Sequence, residues 1–253
     1  MLSTVQREEL RLITNSALDV AEAVWEQTGA QMRALAASAL EENLAKSFPS
    51  AIPGHPMVNE VEPEVDDFIC MMLDIRNSTR HLNEIDGRCG VQQIQRVLYE
   101  TSALLHPCAR VVQYDGGNVT EYLGDGALAL FKVPSDTDSA CYACYRAANN
   151  ILTVTKEIVN AILAERYHLP PLKIGIGMAL SKAIVTVIGL PGNRIPKVIG
   201  QCVYRASKLC NGEDQVVVDK FLYEAWPQEK GGSLHFTKWA AKDKGIEGFL
   251  ITK

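Results

Sequence analysis

The chain has 253 residues, of which 47% are apolar and 22% charged; that is enough apolar material for a real core and too much for wholesale disorder. A formal net charge of −5 argues against a protein that coats nucleic acid, while leaving room for a local basic pocket. No stretch approaches the roughly 20 consecutive apolar residues of a membrane-spanning helix, and the opening MLSTVQREELRL carries charge where a secretory signal carries its apolar run. The expectation is a cytoplasmic chain bound to neither membrane nor nucleic acid.

Residues 5–46 read as helix, because Leu10, Ile13, Leu18, Ala21, Val24, Met32, Leu35, Leu40 and Leu44 recur near helical spacing, with a break near Gly29. Its simplest role is an amphipathic cover on the domain that follows; the other is a dimerisation or partner-contact element. SFPSAIPGHP, with Pro49, Pro53 and Pro56, reads as a linker. This gives an N-terminal helical extension and linker over 1–60 and a main domain over 61–253.

In the main domain, Phe68 to Asp74 is a nearly continuous apolar run and reads as a central strand. Val91 to Ala109 has helical period. Arg110 to Tyr114 and Val119 to Leu123 flank Asp-Gly-Gly-Asn, a hairpin signal, and Ala127 to Val133 is a further strand. Asp136 to Tyr167 reads as one long helix opened by capping residues. Leu172 to Leu180 and Ile184 to Ile188 read as two strands, and Gln201 to Cys210 as a helix. Gln215 to Val218, His235 to Lys238 and Gly248 to Ile251 complete the strands. The order βαββαβ predicts an α+β, ferredoxin-like sheet with helices on one face.

The seven cysteines are an odd number in a chain read as cytoplasmic, which predicts reduced thiols. Cys141 and Cys144 form a lone CxxC in a helical pattern with no second pair, so core packing outweighs a zinc or redox role. His81, His106 and His168 show no ligand spacing, and Gly175 and Gly177 do not make a dinucleotide-binding fingerprint.

Two carboxylates draw the chemistry. Asp74 ends an apolar strand, where desolvation is costly without a partner, and Arg76, Asn77, Ser78 and Thr79 follow as a polar turn suited to phosphate. The alternative is that Asp74 only caps a helix. Asp125 lies in Gly-Asp-Gly between two apolar runs, and on the same sheet it would sit near Asp74. Paired carboxylates repel unless a cation holds them, and oxygen donors suit Mg²⁺ or Mn²⁺ with substrate phosphates as further ligands.

On these residues the chain resembles the class III nucleotidyl cyclase catalytic domain over 66–251. Five segments carry the likeness in order: DIRNST (74–79), GGNVTEYLGDGALALF (116–131), KIGIGMALSKAIVTVIG (173–189), VIGQCVYRASKL (198–209) and KGIEGF (244–249). The resemblance implies a cyclase catalytic domain acting as a homodimer with composite active sites at the interface. Asp74 and Asp125, with the Ile75 carbonyl, would hold two divalent ions, Mn²⁺ or Mg²⁺. Ser78 and Thr79 would form the phosphate-side turn and Lys244 would bind the triphosphate. The substrate is a nucleoside triphosphate whose 3′-oxygen attacks the α-phosphorus.

Departures from the family pattern bear on substrate. Adenylate members carry Lys where this chain has Glu121, and Asp or Thr where it has Lys197, a reversal of sign. An ionised carboxylate only accepts, so Glu121 would meet a ring N–H and Lys197 a carbonyl. That favours UTP or GTP over ATP and CTP. The alternative is that the two side chains pair with each other or face water. The family's ribose-orienting Asn falls on Tyr204, which either stacks on nucleotide or packs at the dimer seam. Its transition-state Arg falls on Lys208, which keeps charge and loses the fork, with Arg205 beside it as a substitute. Phe68 shares the strand face of Asp74 and either lines a base pocket or packs in the core. A stand-alone cyclase with a rewritten base pocket resembles the Pycsar antiphage enzymes, which make cyclic UMP or cyclic CMP for a separate effector protein. The expectation is a uridylate cyclase. Guanylate or cytidylate cyclases of the same fold, or a non-catalytic nucleotide-sensing dimer, are the alternatives.

Overall fold

The computed structural model describes residues 47–83, 89, 91–134, 137–190, 192–227, 232–239 and 246–253. The helix expected over 5–46 and Lys244 therefore lie outside the described residues.

In chain order, β1 (Ser47–Pro49) and β2 (Met57–Asn59) form a small antiparallel pair. There follow β3 (Glu64–Ile75), α1 (Ser78–Asn83), α2 (Gln93–Tyr114), β4 (Asn118–Leu123) and β5 (Gly126–Lys132). Next come α3 (Thr137–Asn150), a π turn at Ile151–Thr155, α4 (Lys156–Tyr167), β6 (Ile174–Leu190), β7 (Asn193–Gly200) and α5 (Gln201–Leu209). β8 (Gln215–Asp219), α6 (Lys220–Glu224), β9 (His235–Trp239) and β10 (Gly248–Thr252) close the chain.

The main sheet runs β4-β5-β3-β6-β8-β10-β9, with β7 paired to the outer half of β6. Its first four strands give the ferredoxin-like order around the central β3. The period of two along β3 sorts its side chains onto two faces. Ile69, Met71, Leu73 and Ile75 enter one core with α2, α3, the π turn and α4. Phe68, Cys70 and Met72 enter a second core with Cys202, Ala206 and Cys210 of α5 and with Ile52 and Val58 of the β1/β2 segment. Each fully buried side chain of this size contributes roughly 1.5–3 kcal/mol, so β3 is held from both sides.

Several sequence expectations change here. Helices cover both faces, not one, because α5 seats on the second. SFPSAIPGHP is no free linker: Ile52 is buried and the His55 ring lies between Asp66 at 2.8 Å and Glu64 at 3.2 Å. Arg110 to Tyr114 continues α2, so Asp-Gly-Gly-Asn ends a helix and starts β4, with Gly116 at φ +79°. The real hairpin is β4–β5. Leu123 pairs with Gly126 across a two-residue Gly124-Asp125 turn, with Gly124 at φ +60°. The expected long helix runs without a break over Thr137–Tyr167, with a π turn inside it at Ile151–Thr155, whereas the two strands expected at 172–188 are one, β6.

Gly175 and Gly177 find their purpose in packing. A Cβ on Gly175 would lie 1.9 Å from the Cys210 carbonyl oxygen, and one on Gly177 would lie 2.2 Å from that of Ala206. Only bare backbone lets α5 lie this close on β6. The cysteines pack, as expected. Cys141 and Cys144 are buried thiols outside any disulfide among the described residues, and burial pushes the Cys144 thiol well up and that of Cys108 up to about 12.

Candidate active site

β3 and β5 pair antiparallel so that Asp74 stands opposite Gly126, and the Ile75 N–H donates to the Asp125 carbonyl at 3.2 Å. Asp74 and Asp125 therefore stand at the same end of neighbouring strands. Gly126 must lack a side chain, since its Cβ would lie 2.5 Å from the Leu73 carbonyl oxygen and 3.4 Å from Asp74 Oδ1. Asp74 is paired with the Arg76 guanidinium, and the Ser78 hydroxyl donates to Asp125 Oδ2. After Ile75, the Arg76 N–H bonds the Lys173 carbonyl at 2.8 Å, Asn77 turns at φ +64°, and Ser78 opens α1. Thr79 is exposed on the first turn of α1.

Among the described residues no group of three or more His, Cys, Asp or Glu side chains is placed to hold a metal ion. The side-chain oxygen donors at this end of the sheet are the carboxylates of Asp74 and Asp125. That set fits a hard divalent ion that takes its other ligands from water and phosphate oxygens.

Glu121 and Lys197, 76 positions apart in the chain, meet at 2.7 Å with both side chains about a quarter to a third exposed. A bulge brings this about. Val119 opposes Ala129 and Glu121 opposes Leu128, leaving Thr120 as the extra residue. By plain alternation Glu121 would share the face of Val119, which α2 covers; the bulge turns it to the face of Cys70, Met72 and Asp74. Consistent with this, the Cys70 thiol, raised chiefly by burial, is raised further by the Glu121 charge.

On α5, Lys208 Nζ lies over the exposed Tyr204 ring at 5.7 Å. Arg205 is not a free substitute for a transition-state arginine. Its Nε meets Asp219 at 2.6 Å, Nη2 donates to the Leu180 carbonyl at 2.7 Å, and its guanidinium lies over Phe221. Asp219 is fully buried and also accepts from the Leu222 N–H at 2.9 Å. Burial raises its pKa against the pull of those bonds and of Arg205. Arg205 is a structural counter-ion. Phe68 is likewise corrected: it has no exposed surface and packs beside His55 in the second core, out of reach of a nucleotide.

Sequence reasoning treated Arg76 as part of a polar turn and overlooked its place on Asp74; its position two residues after that carboxylate was the available signal.

No protein-family model and no curated protein matches the sequence. Solved structures do. The guanylyl cyclase Cya2 superposes with a TM-score of 0.62 at 19% identity, covering 74% of this chain and 92% of that one. The adenylyl cyclase CyaB from P. aeruginosa gives 0.62 at 15% identity, over 76% and 96%. The guanylate cyclase domain of RhGC from Catenaria anguillulae, in complex with GTP, gives 0.56 at 14% identity, over 75% and 98%. The α+β fold of this chain is the one that adenylyl and guanylyl cyclase catalytic domains share.

Proposed function

We propose that the protein is a nucleotidyl cyclase that converts a nucleoside triphosphate, UTP foremost, to its 3′,5′-cyclic monophosphate and pyrophosphate in a homodimer with composite sites. The observation that supports this is the placement of Asp74 and Asp125 at one end of β3 and β5, in a fold shared with cyclases. Two divalent ions, Mn²⁺ or Mg²⁺, would supply Lewis-acid activation of the 3′-hydroxyl and a hold on the triphosphate. The chain's own residues do the rest. Asp74 and Asp125 bind, and the Ser78 hydroxyl orients Asp125. Glu121 accepts a ring N–H and Lys197 donates to the neighbouring carbonyl, their ion pair opening to admit the base. Lys208 lends positive charge to the α-phosphoryl oxygens. The 3′-oxygen bonds to the α-phosphorus as the bond to pyrophosphate breaks, and the hydroxyl proton passes to solvent.

Dimerisation is supported by an exposed apolar set on the β6/β7 ribbon and α5: Ile188, Leu190, Ile195, Ile199 and Tyr204. The cyclic product would serve as a signal in antiphage defence, read by a separate effector. Guanine offers the same N–H beside a carbonyl, so the Glu121/Lys197 pair equally favours a guanylate reading. Incubation with all four triphosphates and Mn²⁺, with mass-spectrometric identification of product, tests both. Cyclic UMP in excess is expected, and equal or greater turnover of GTP rejects the uridylate assignment. Asp74→Asn and Asp125→Asn should each lower kcat by at least about a hundredfold; retained turnover in both removes the metal assignment.

A further inference from the structure

We infer that Arg76 is a stored counter-ion: it neutralises Asp74 before metal arrives and moves to the triphosphate once metal takes the carboxylate. This rests on the cyclase reading of the site.

Two carboxylates at adjacent strand ends repel unless positive charge lies between them. The chain supplies that charge itself, with the Arg76 guanidinium on Asp74, while among the described residues Asp125 takes the Ser78 hydroxyl. The guanidinium lies within electrostatic reach of this end of the sheet. The Cys210 thiol, raised chiefly by burial, is pulled back by Arg76 and raised by Asp125.

The other donors of Arg76 are little used. Nη1 makes only a 3.4 Å contact with Asn211 Oδ1, and the buried Nε has no hydrogen-bond acceptor among the described residues. A buried donor without an acceptor is costly, and a planar fork with unused N–H groups matches phosphate oxygens. The backbone is already fixed by the bond to the Lys173 carbonyl and by the turn at Asn77, so the exchange needs only side-chain rotation. A divalent ion on Asp74 competes with the guanidinium for the same negative charge and repels it, so metal binding loosens Arg76 from the carboxylate.

Mn²⁺ titrations of the full chain without nucleotide, read by calorimetry or electron paramagnetic resonance, test the exchange. Arg76→Ala should bind Mn²⁺ about two- to fivefold more tightly than wild type, the size of one partly exposed ion pair no longer broken first. It should bind the Mn²⁺ complex of inorganic tripolyphosphate about tenfold more weakly, because the released fork is gone. Arg76→Lys, which keeps charge without the fork, should match wild type for Mn²⁺ and lose tripolyphosphate affinity; it also serves if the alanine variant fails to fold. Equal Mn²⁺ affinity in wild type and Arg76→Ala, with Asp74→Asn abolishing binding in both, overturns the exchange and leaves the metal site standing. Mn²⁺ binding indifferent to Asp74→Asn overturns the metal site and the exchange together.

Discussion

Arg205 and Lys208 stand three positions apart on α5 and have different fates. Arg205 is spent on the buried Asp219, whereas Lys208 rests over an exposed ring. A buried charge left without its partner costs about 3–5 kcal/mol, so Arg205→Met should lower unfolding free energy by about that amount near neutral pH. The sign of its pH dependence follows from Asp219. Burial raises this carboxyl above its unfolded value, so the protonated form is the one the folded state favours, and the deficit should shrink as pH falls through the raised pKa. Denaturant unfolding of wild type and variant at pH 8 and pH 5 checks this; a constant difference would show that Asp219 is not the cause. Glu121 and Lys197 allow a cleaner test of base choice. The double variant Glu121→Lys with Lys197→Glu keeps the ion pair and reverses its polarity. It should shift kcat/KM from UTP towards ATP and CTP by at least about tenfold, the worth of one misplaced hydrogen bond; unchanged preference removes the pair from base reading.

At the level of elements, the closeness of α5 to β6 is set by Gly175 and Gly177. A methyl at Gly177 meets a backbone oxygen and cannot be relieved by turning a side chain. Gly177→Ala should therefore cost about 1–3 kcal/mol, as overpacking does, and be seen as a lowered Tm. Because α5 also carries Tyr204 and Lys208, kcat should fall beyond the loss of folded protein. The sequence made much of this level legible. Apolar runs and helical periods located β3, α2, β5, α5 and the carboxylates. The ferredoxin-like order followed from their succession. It misread what tertiary context decides. Asp-Gly-Gly-Asn carries the same turn chemistry whether it joins strands or ends a helix, and the longer apolar period of α2 prevailed. The prolines of SFPSAIPGHP hid a segment whose Ile52 is core. Arg205 and Phe68 were eligible for the site by position along the chain, and only burial shows that they are committed elsewhere.

For the whole molecule, a dimer with shared sites makes a prediction that no single-chain enzyme can meet. The resemblance puts the metal carboxylates of one site on one protomer and its base-reading pair on the other. Asp74→Asn and Lys197→Ala proteins should each be nearly inactive. Mixed and allowed to exchange in equal amounts, they should regain about a quarter of wild-type activity, because half the dimers are mixed and each holds one intact site of two. No recovery despite demonstrated exchange would place the whole site within one chain. The bulge at Thr120 has a wider consequence. It lets Val119 and Glu121, two apart in the chain, face opposite sides of the sheet. A regular ladder through the same residues would set Glu121 opposite Ala127, on the side of Val119 and away from Lys197, while leaving Asp74 and Asp125 in place. Under the proposed function, how the strand is paired would thus bear on which nucleobase is read, independently of the residues that carry out the chemistry.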